Sequence, residues 1–200
     1  RPTGNVLVMI DETGERTFWA FRIDCADWQL RSEYIPVNMI ACSRALYVTG
    51  VVASEAKIIK PSAKVITSAV QAAKQNGVIT FFDPNIRAKD WDIPENVVAL
   101  LRQIAESVDY YLPNELEYKL IGFNKPEEGD FSKQRVIIIK EGGKGCLVLG
   151  PKGIARVPPK STIVVDATGA GDAFNAGFIT GILRGGDPVS AAELGSAVAA

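Results

Sequence analysis

Short apolar runs alternate along this chain with longer segments in which apolar residues recur at helical spacing. Short runs of this kind, bounded by polar or turn-forming residues, are typical of buried strands. The predicted strands are Ala45–Thr49, Val78–Phe82, Asp109–Leu112, Val136–Ile139 and Cys146–Leu149. Each is too short to be a stable helix by itself. The pattern therefore predicts a sheet whose strands are separated by other elements.

The intervening segments have the signals of helices. Pro61 suits the first turn of a helix that Asn76 and Gly77 end, and Pro94 opens a second helix. The second helix carries an apolar stripe at Val97, Leu101, Ile104 and Val108. Further helices are predicted after Asn114, over 170–183 and from Val189 onward. Strands that alternate with helices predict an α/β fold, a mostly parallel sheet flanked by helices on both faces.

The first part of the chain has a different pattern. Asn5–Ile10 and Arg16–Phe21 flank a turn-forming cluster at 11–14, which predicts a β-hairpin. The only break in composition falls near Pro36. We therefore divide the chain into a hairpin with its return segment, residues 1–36, and an α/β body, residues 37–200. Arg1 is not an initiator methionine and the chain stops within an apolar helical run, so we expect both ends to be cut.

Composition narrows the possible functions. The chain has 200 residues, 47% of them hydrophobic and 22% charged, and a net charge of -1, which is ordinary for a globular domain. This charge predicts neither nucleic acid nor an anionic membrane as a partner. No apolar run reaches the ~20 residues of a membrane span, and no signal peptide pattern opens the chain. Scattered cysteines at 25, 42 and 146 predict reduced thiols in a cytoplasmic protein.

Histidine is absent from the sequence. Its absence excludes Ser-His-Asp and Cys-His nucleophilic systems, phosphohistidine chemistry and histidine-ligated metals within these residues. Acid–base chemistry must then be done by carboxylates, lysine or tyrosine.

The segment Asp166–Phe174 has the strongest chemical pattern. Small residues allow backbone N–H groups to approach a ligand, and a helix that begins there directs its free N–H groups at an anion. Asp172 would lie in the first turn of that helix, where a carboxylate could orient an alcohol and take its proton during phosphoryl transfer. Two purely structural interpretations remain open. Gly169 to Gly171 could form a tight strand-to-helix turn, and Asp172 could be a favourable carboxylate in the first turn of the helix. Phe174 occupies the position where a dinucleotide fingerprint needs a third small residue.

Three other segments follow predicted strands and should reach the same edge of the sheet. Asp83–Arg87 could direct Asn85 and Arg87 into a crevice, or form a capped turn with a surface arginine. Asn114 and Glu117 could form a capping box, or the carboxylate could hold the water shell of Mg²⁺. The segment 140–145 could lie against a nucleotide, or could be a simple hairpin turn.

The order of these four segments resembles that of the ribokinase-like, PfkB-type family of carbohydrate kinases. The family has an Asp-Pro-Asn-x-Arg segment, an Asn-x-x-Glu segment, a glycine-containing nucleotide loop and the signature Asp-[small]-Thr-Gly-Ala-Gly-Asp-[small]-Phe. The resemblance covers essentially the whole chain. It also identifies the hairpin as similar to the family's β-lid. The family's N-terminal segment, with its sugar-contacting carboxylate and glycine pair, is absent from these residues.

The resemblance implies a role for each matching residue. Asp172 would be the catalytic base, and the backbone N–H groups of Gly169, Ala170 and Gly171 would form the anion hole. Glu117 would position Mg²⁺ through water, and Asp166, with Thr168 beside it, would hold a monovalent cation such as K⁺. The remaining implied contacts are Asn85, Arg87 and Thr168 with substrate or phosphate, and Asn114, Lys140, Gly142, Gly143, Gly145 and Ser196 with the nucleotide. Ser196 stands where the family commonly has an asparagine.

The resemblance implies an ATP-dependent sugar kinase that acts on a ketose or keto-sugar acid such as fructose or ketodeoxygluconate. ATP and Mg²⁺ are the implied cofactors, and the exposed edges of the lid hairpin predict a homodimer through it. A nucleoside or other small-molecule kinase of the same family is the nearest alternative. A nucleotide-binding relative without catalysis is the alternative from a different class.

Overall fold

The computed structural model describes residues 1–10, 12, 16–21, 25–51, 61–86, 93–123, 135–162 and 166–200. Its strands are β1 Asn5–Ile10, β2 Arg16–Phe21, β3 Ala45–Thr49, β4 Ile79–Asp83, β5 Tyr110–Tyr111, β6 Val136–Lys140, β7 Cys146–Gly150 and β8 Gly153–Val157. Strands β3 to β8 form one sheet in chain order. Strands β3 to β6 are parallel, and β7 is antiparallel to both of its neighbours. The predicted, mostly parallel sheet is confirmed.

Helices cover both faces of this sheet. They are α1 Val37–Ala41, α2 Pro61–Gln75, α3 Glu95–Ser107, α4 Glu115–Leu120, α5 Ala170–Leu183 and α6 Pro188–Ala199. Successive strand residues point to opposite faces. Phe82 accordingly packs in the core cluster of α2, α3 and α4. Phe81 packs in the separate cluster of α5 and α6. The α/β fold with helices on both faces is therefore confirmed.

The predicted helical stripe of α3 lies in the core, since Val97, Leu101, Ile104 and Val108 are all buried. Strand β8 was not predicted. It is the last strand of the sheet, and Ile154 is exposed although it is apolar. An edge strand with little burial lacks the apolar pattern by which the other strands were recognised. In the described part of the chain, no helix combines the length and apolarity that a membrane span requires.

Strands β1 and β2 form a separate antiparallel hairpin, with Asn5 opposite Phe21 and Ile10 opposite Arg16. The turn predicted at 11–14 lies largely outside the described residues. After the hairpin, the N–H of Ala26 donates to the Pro2 carbonyl over 3.1 Å. Further along the return segment, the Ser32 and Ser68 hydroxyls lie 3.2 Å apart, which joins the segment to α2. The covering role of the hairpin and the domain boundary at residue 36 stay predictions.

Candidate active site

The carboxyl ends of three neighbouring parallel strands carry the polar residues of the candidate site. Asp83 is the last residue of β4, Asn114 follows β5, and Lys140 is the last residue of β6. Asn114 and Lys140 form an isolated parallel bridge, and the Lys140 N–H donates to the Pro113 carbonyl over 2.8 Å. Residues far apart in sequence thus meet at one edge of the sheet.

At this edge lies a hydrogen-bonded cluster that we call the Lys140 network, which consists of Tyr47, Asp83, Lys140 and Asn175. Asp83 is only 3% exposed and Asn175 only 2%. The Asp83 Oδ2 accepts hydrogen bonds from Lys140 Nζ at 2.8 Å and from Asn175 Nδ2 at 2.5 Å. Lys140 Nζ also donates to Asn175 Oδ1 over 3.3 Å, and Asn175 Nδ2 donates to the Tyr47 hydroxyl over 3.2 Å. The network therefore connects β3, β4, β6 and α5.

Glu117 is buried beside this network. Its Oε1 accepts the Ile86 N–H and its Oε2 accepts the Asn114 N–H, each over 2.8 Å. The Asn114 side chain in turn accepts the Glu117 N–H over 2.9 Å, which completes the capping box of α4. Burial and then the charge of Asp83 raise the pKa of Glu117, against the opposing effect of its N–H bonds and Lys140. The capping interpretation thus describes the observed geometry.

The start of α5 has the geometry of an anion seat. Gly169 precedes the helix with φ 81°, a left-handed conformation that suits glycine, and Asp172 is exposed in the first turn. The Ala170 N–H donates to the Ala167 carbonyl over 3.2 Å, so this amide already has an acceptor. The N–H groups in the first turn of a helix have no acceptors within that helix. The amides of Gly171 and Asp172 are therefore the better candidates for an anion.

Helix α5 begins next to the Lys140 network, to which it contributes Asn175. A methyl group built on Gly171 would lie 3.9 Å from Lys140 Nζ. Burial and then Asp83 raise the pKa of the Tyr47 hydroxyl above its ordinary value, with a smaller contribution from Asp172. The charge of the exposed Asp172 carboxylate therefore acts on Tyr47 in the buried network.

The glycine-rich turn between β6 and β7 is separate from the side chain of Lys140. Residues 142–144 form one turn of 3-10 helix, Gly142 and Gly143 are exposed, and Gly142 and Gly145 have φ values of 58° and 89°. Its backbone is held by a hydrogen bond from the Glu141 N–H to the Gly145 carbonyl. The sequence interpretation grouped Lys140 with these glycines. The Lys140 ammonium group donates to Asp83 and Asn175, and its contact with a nucleotide stays a prediction.

The remaining predicted residues lie at different depths. Asn85 is partly buried with φ 41°, a conformation that asparagine tolerates, and its N–H donates to Asp83 Oδ1 over 2.9 Å. Asp166 and Thr168 are exposed and form a turn in which the Thr168 N–H donates to Asp166 Oδ1 over 2.8 Å. Ser196 is 8% exposed in α6. Arg87 lies outside the described residues.

Three residues of the site were not identified from the sequence: Tyr47, Asp83 and Asn175. Asp83 and Asn175 each carried a signal, because one is a charged residue closing an apolar strand and the other a polar residue three positions after Asp172 in an apolar helix. Tyr47 had no signal, since a tyrosine in a strand is ordinary. Among the described residues, no group of three or more Asp, Glu or Cys side chains could hold a metal ion by itself.

Known proteins resemble this chain in both sequence and structure. It is 31% identical to a 2-dehydro-3-deoxygluconokinase of Escherichia coli, over 98% of this chain and 66% of the relative. It is 29% identical to a fructokinase of Klebsiella pneumoniae, over 96% of this chain and 62% of the relative. The chain thus spans less than two thirds of the length of these relatives.

A solved structure has the same fold. It is that of an Escherichia coli protein described as a ribokinase II, in complex with ATP and Mg²⁺, and it matches 98% of this chain with a TM-score of 0.83 and 26% identity. The profile of the pfkB family carbohydrate kinases matches residues 1–200. The chain therefore belongs to the pfkB family of carbohydrate kinases.

Proposed function

We propose that this protein is an ATP-dependent sugar kinase that transfers the γ-phosphate of ATP to a hydroxyl of a ketose or keto-sugar acid. The observation that carries the proposal is the start of α5, where an exposed carboxylate, Asp172, stands beside helix N–H groups that suit an anion. Phosphoryl transfer to a hydroxyl needs a carboxylate that takes the hydroxyl proton, beside N–H groups that bind the phosphoryl group.

Each group at the start of α5 has a defined task in this reaction. The sugar oxygen bonds to the γ-phosphorus while the bond from that phosphorus to the β,γ-bridging oxygen breaks, and ADP leaves. Asp172 accepts the hydroxyl proton. The N–H groups of Gly171 and Asp172 stabilise the charge on the transferred group, with Gly169 and Ala170 shaping the turn. Because the transition state is loose, positioning and charge stabilisation supply most of the rate enhancement.

The residues present fit Mg²⁺ that arrives with the nucleotide. Mg²⁺ commonly keeps several waters and binds through one or two carboxylates and the substrate phosphates. Glu117 would reach it through water, and a nearby cation would offset the burial and the Asp83 charge that raise the pKa of Glu117. The ion would neutralise charge on the phosphates. The exposed turn of Asp166 and Thr168 is where we propose K⁺.

Keto-sugars are the proposed substrates because the fructokinase and the 2-dehydro-3-deoxygluconokinase that resemble this chain are named for them. We also propose that the hairpin of β1 and β2 covers the sugar and joins two subunits. Its apolar side chains support this, since Leu7 is 53% and Trp19 54% exposed in a single chain. The proposed nucleotide contacts are Asn114, Gly142, Gly143, Gly145 and Ser196.

Replacing Asp172 tests the proposal. In the full-length gene product, Asp172→Asn should lower kcat for ADP release by about 10²- to 10⁴-fold, because the hydroxyl proton loses its acceptor. ADP binding, measured by calorimetry, should persist. Glu106→Gln, which removes an exposed carboxylate of α3 paired with Arg102, is the control and should retain kcat.

The assay would use a panel of ketoses, keto-sugar acids and nucleosides. Turnover of nucleosides alone would reject the sugar as the substrate. Failure to release ADP with any of the panel, despite ADP binding, would favour the non-catalytic relative. An Asp172→Asn protein as fast as the unsubstituted one would exclude Asp172 as the base.

A further inference from the structure

The Lys140 network contains a nearly buried ion pair at the start of α5. Lys140 and Asp83 form an ion pair of 2.8 Å with side chains that are 15% and 5% exposed. A buried ion pair contributes little to stability by itself, because removing both charges from water offsets most of their attraction. A stabilising role is therefore a weak explanation for this pair. Its position relative to the start of α5 suggests another one.

Lys140 is placed behind the backbone that would bind the phosphoryl group. Its Nζ lies 3.9 Å from a methyl group built on Gly171, and among the described residues no other atom beyond the neighbouring helix backbone lies within 4 Å of that methyl position. Among the described residues, the ammonium group is thus the nearest group to the side-chain position of Gly171. A positive charge held there reinforces the field of the helix N–H groups, and the effect is stronger in a site of low dielectric.

The network also fixes where α5 begins relative to the sheet. Asn175 lies three residues after Asp172 on the same helix, and its side chain is held by Asp83, Lys140 and Tyr47. Lys140 itself is held by two acceptors on different elements, β4 and α5. An ammonium group held in this way need not move when negative charge develops nearby. Effective anion sites have this property.

We propose that Lys140 is a positioning residue for phosphoryl transfer: its ammonium group, held by Asp83 and Asn175, acts through the Gly171 backbone to strengthen and orient the anion seat at the start of α5. This inference rests on the proposed function. It assigns Lys140 a role in the rate of the chemical step, whereas the glycines of the 142–145 turn would serve nucleotide binding.

Three variants of the full-length gene product separate this role from simple stability. Lys140→Met removes the charge but leaves Asp83 buried without its cation, so its thermal midpoint should fall. The double variant Asp83→Asn/Lys140→Met removes both charges and should recover much of the midpoint. Lys140→Gln removes the charge but keeps an amide donor for Asp83. Lys74→Met is the matched control, because Lys74 pairs with Asp109 at an exposed site at the opposite end of the strands.

We expect kcat to fall about 10- to 100-fold in all three proteins that lack Lys140, somewhat less than for loss of a direct anion-hole donor. KM for sugar and ATP should change by less than about threefold, because the charge acts mainly in the transition state. Lys74→Met should stay within about threefold of the unsubstituted kcat.

The inference is overturned if the double variant regains kcat together with its thermal midpoint, since the pair would then be structural only. If Lys140→Met and the double variant do not fold, as judged by circular dichroism, Lys140→Gln decides. A loss of kcat of about tenfold or more supports a role for the charge, and kcat within about threefold of the unsubstituted value contradicts it. Absence of turnover in the unsubstituted protein would instead reject the proposed kinase function, which is a distinguishable result.

Discussion

Two glycines in the turn between β6 and β7 have positive φ values for different local reasons. A Cβ on Gly145 would lie 2.1 Å from the Val157 carbonyl oxygen, so the neighbouring backbone leaves no space for a side chain. A Cβ on Gly142 would meet no atom of the described residues within 4 Å. Gly145 is thus required by close packing of two backbones, whereas Gly142 is required only by its conformation. Sequence alone does not distinguish these cases.

Alanine at these two positions should give different losses of stability. Gly145→Ala should lower the free energy of unfolding by about 3 kcal/mol or more, because a left-handed conformation and a backbone clash both oppose it. Gly142→Ala, the control, should cost about 1 kcal/mol from conformation alone. Urea denaturation of both proteins measures the difference. Equal losses would contradict the steric explanation.

At the scale of elements, α5 and α6 pack closely because glycine lies between them. A Cβ on Gly177 would lie 2.8 Å from the Gly195 Cα, and one on Gly181 would lie 2.7 Å from the Ala191 Cα. This contact and the Lys140 network hold α5 from two directions. The glycines fix its distance from α6, and Asn175 fixes its first turns over the sheet edge. The candidate anion seat depends on both.

The close helix contact predicts an effect opposite to helix propensity. Alanine is favoured over glycine in a helix interior by about 1 kcal/mol, so propensity alone would make Gly181→Ala stabilising. Overpacking against the Ala191 backbone costs about 1–3 kcal/mol and should outweigh it, so the free energy of unfolding should fall. In the same helix, the methyl group of Gly171→Ala would meet, among the described residues, only the Lys140 side chain at 3.9 Å, so this substitution should not lower stability. A more stable Gly181→Ala protein in thermal denaturation would show that the helices can separate at little cost.

At the scale of the whole molecule, the hairpin of β1 and β2 leaves apolar side chains uncovered in a single chain. An isolated two-stranded hairpin is marginal in water, and here the large apolar side chains of β1 are all exposed. The chain also spans less than two thirds of the relatives described above. Burial of the hairpin against a second subunit would remove this apolar surface from water.

A homodimer through the hairpin is therefore expected at micromolar concentration by light scattering of the full-length gene product. Leu7→Asp should shift the molecular mass to that of a monomer, because it places a charge opposite Trp19 on the apolar hairpin face. Ile154→Asp introduces the same charge at an exposed apolar position of β8 and should leave the dimer intact. A monomer for the unsubstituted protein would reject the dimer, and dissociation by Ile154→Asp instead would assign the interface to β8.

The sequence determined the strand–helix alternation, the helix stripes and the location of three polar segments at the ends of strands. Local patterns sufficed for these because burial on one side of a helix or both sides of a strand has a fixed spacing. The capping box of Asn114 and Glu117 was likewise visible, since both partners lie within one helical turn. The edge strand β8 was missed because its exposure removes that spacing.

Only the tertiary structure decided which of these residues meet. The direction of the Lys140 side chain, the burial of Asp83 and Asn175, and the contribution of Tyr47 depend on contacts between residues separated by 35 to 128 positions. No short-range pattern encodes such contacts. The sheet brings strand ends together, and burial then favours side chains that satisfy one another's charges and hydrogen bonds.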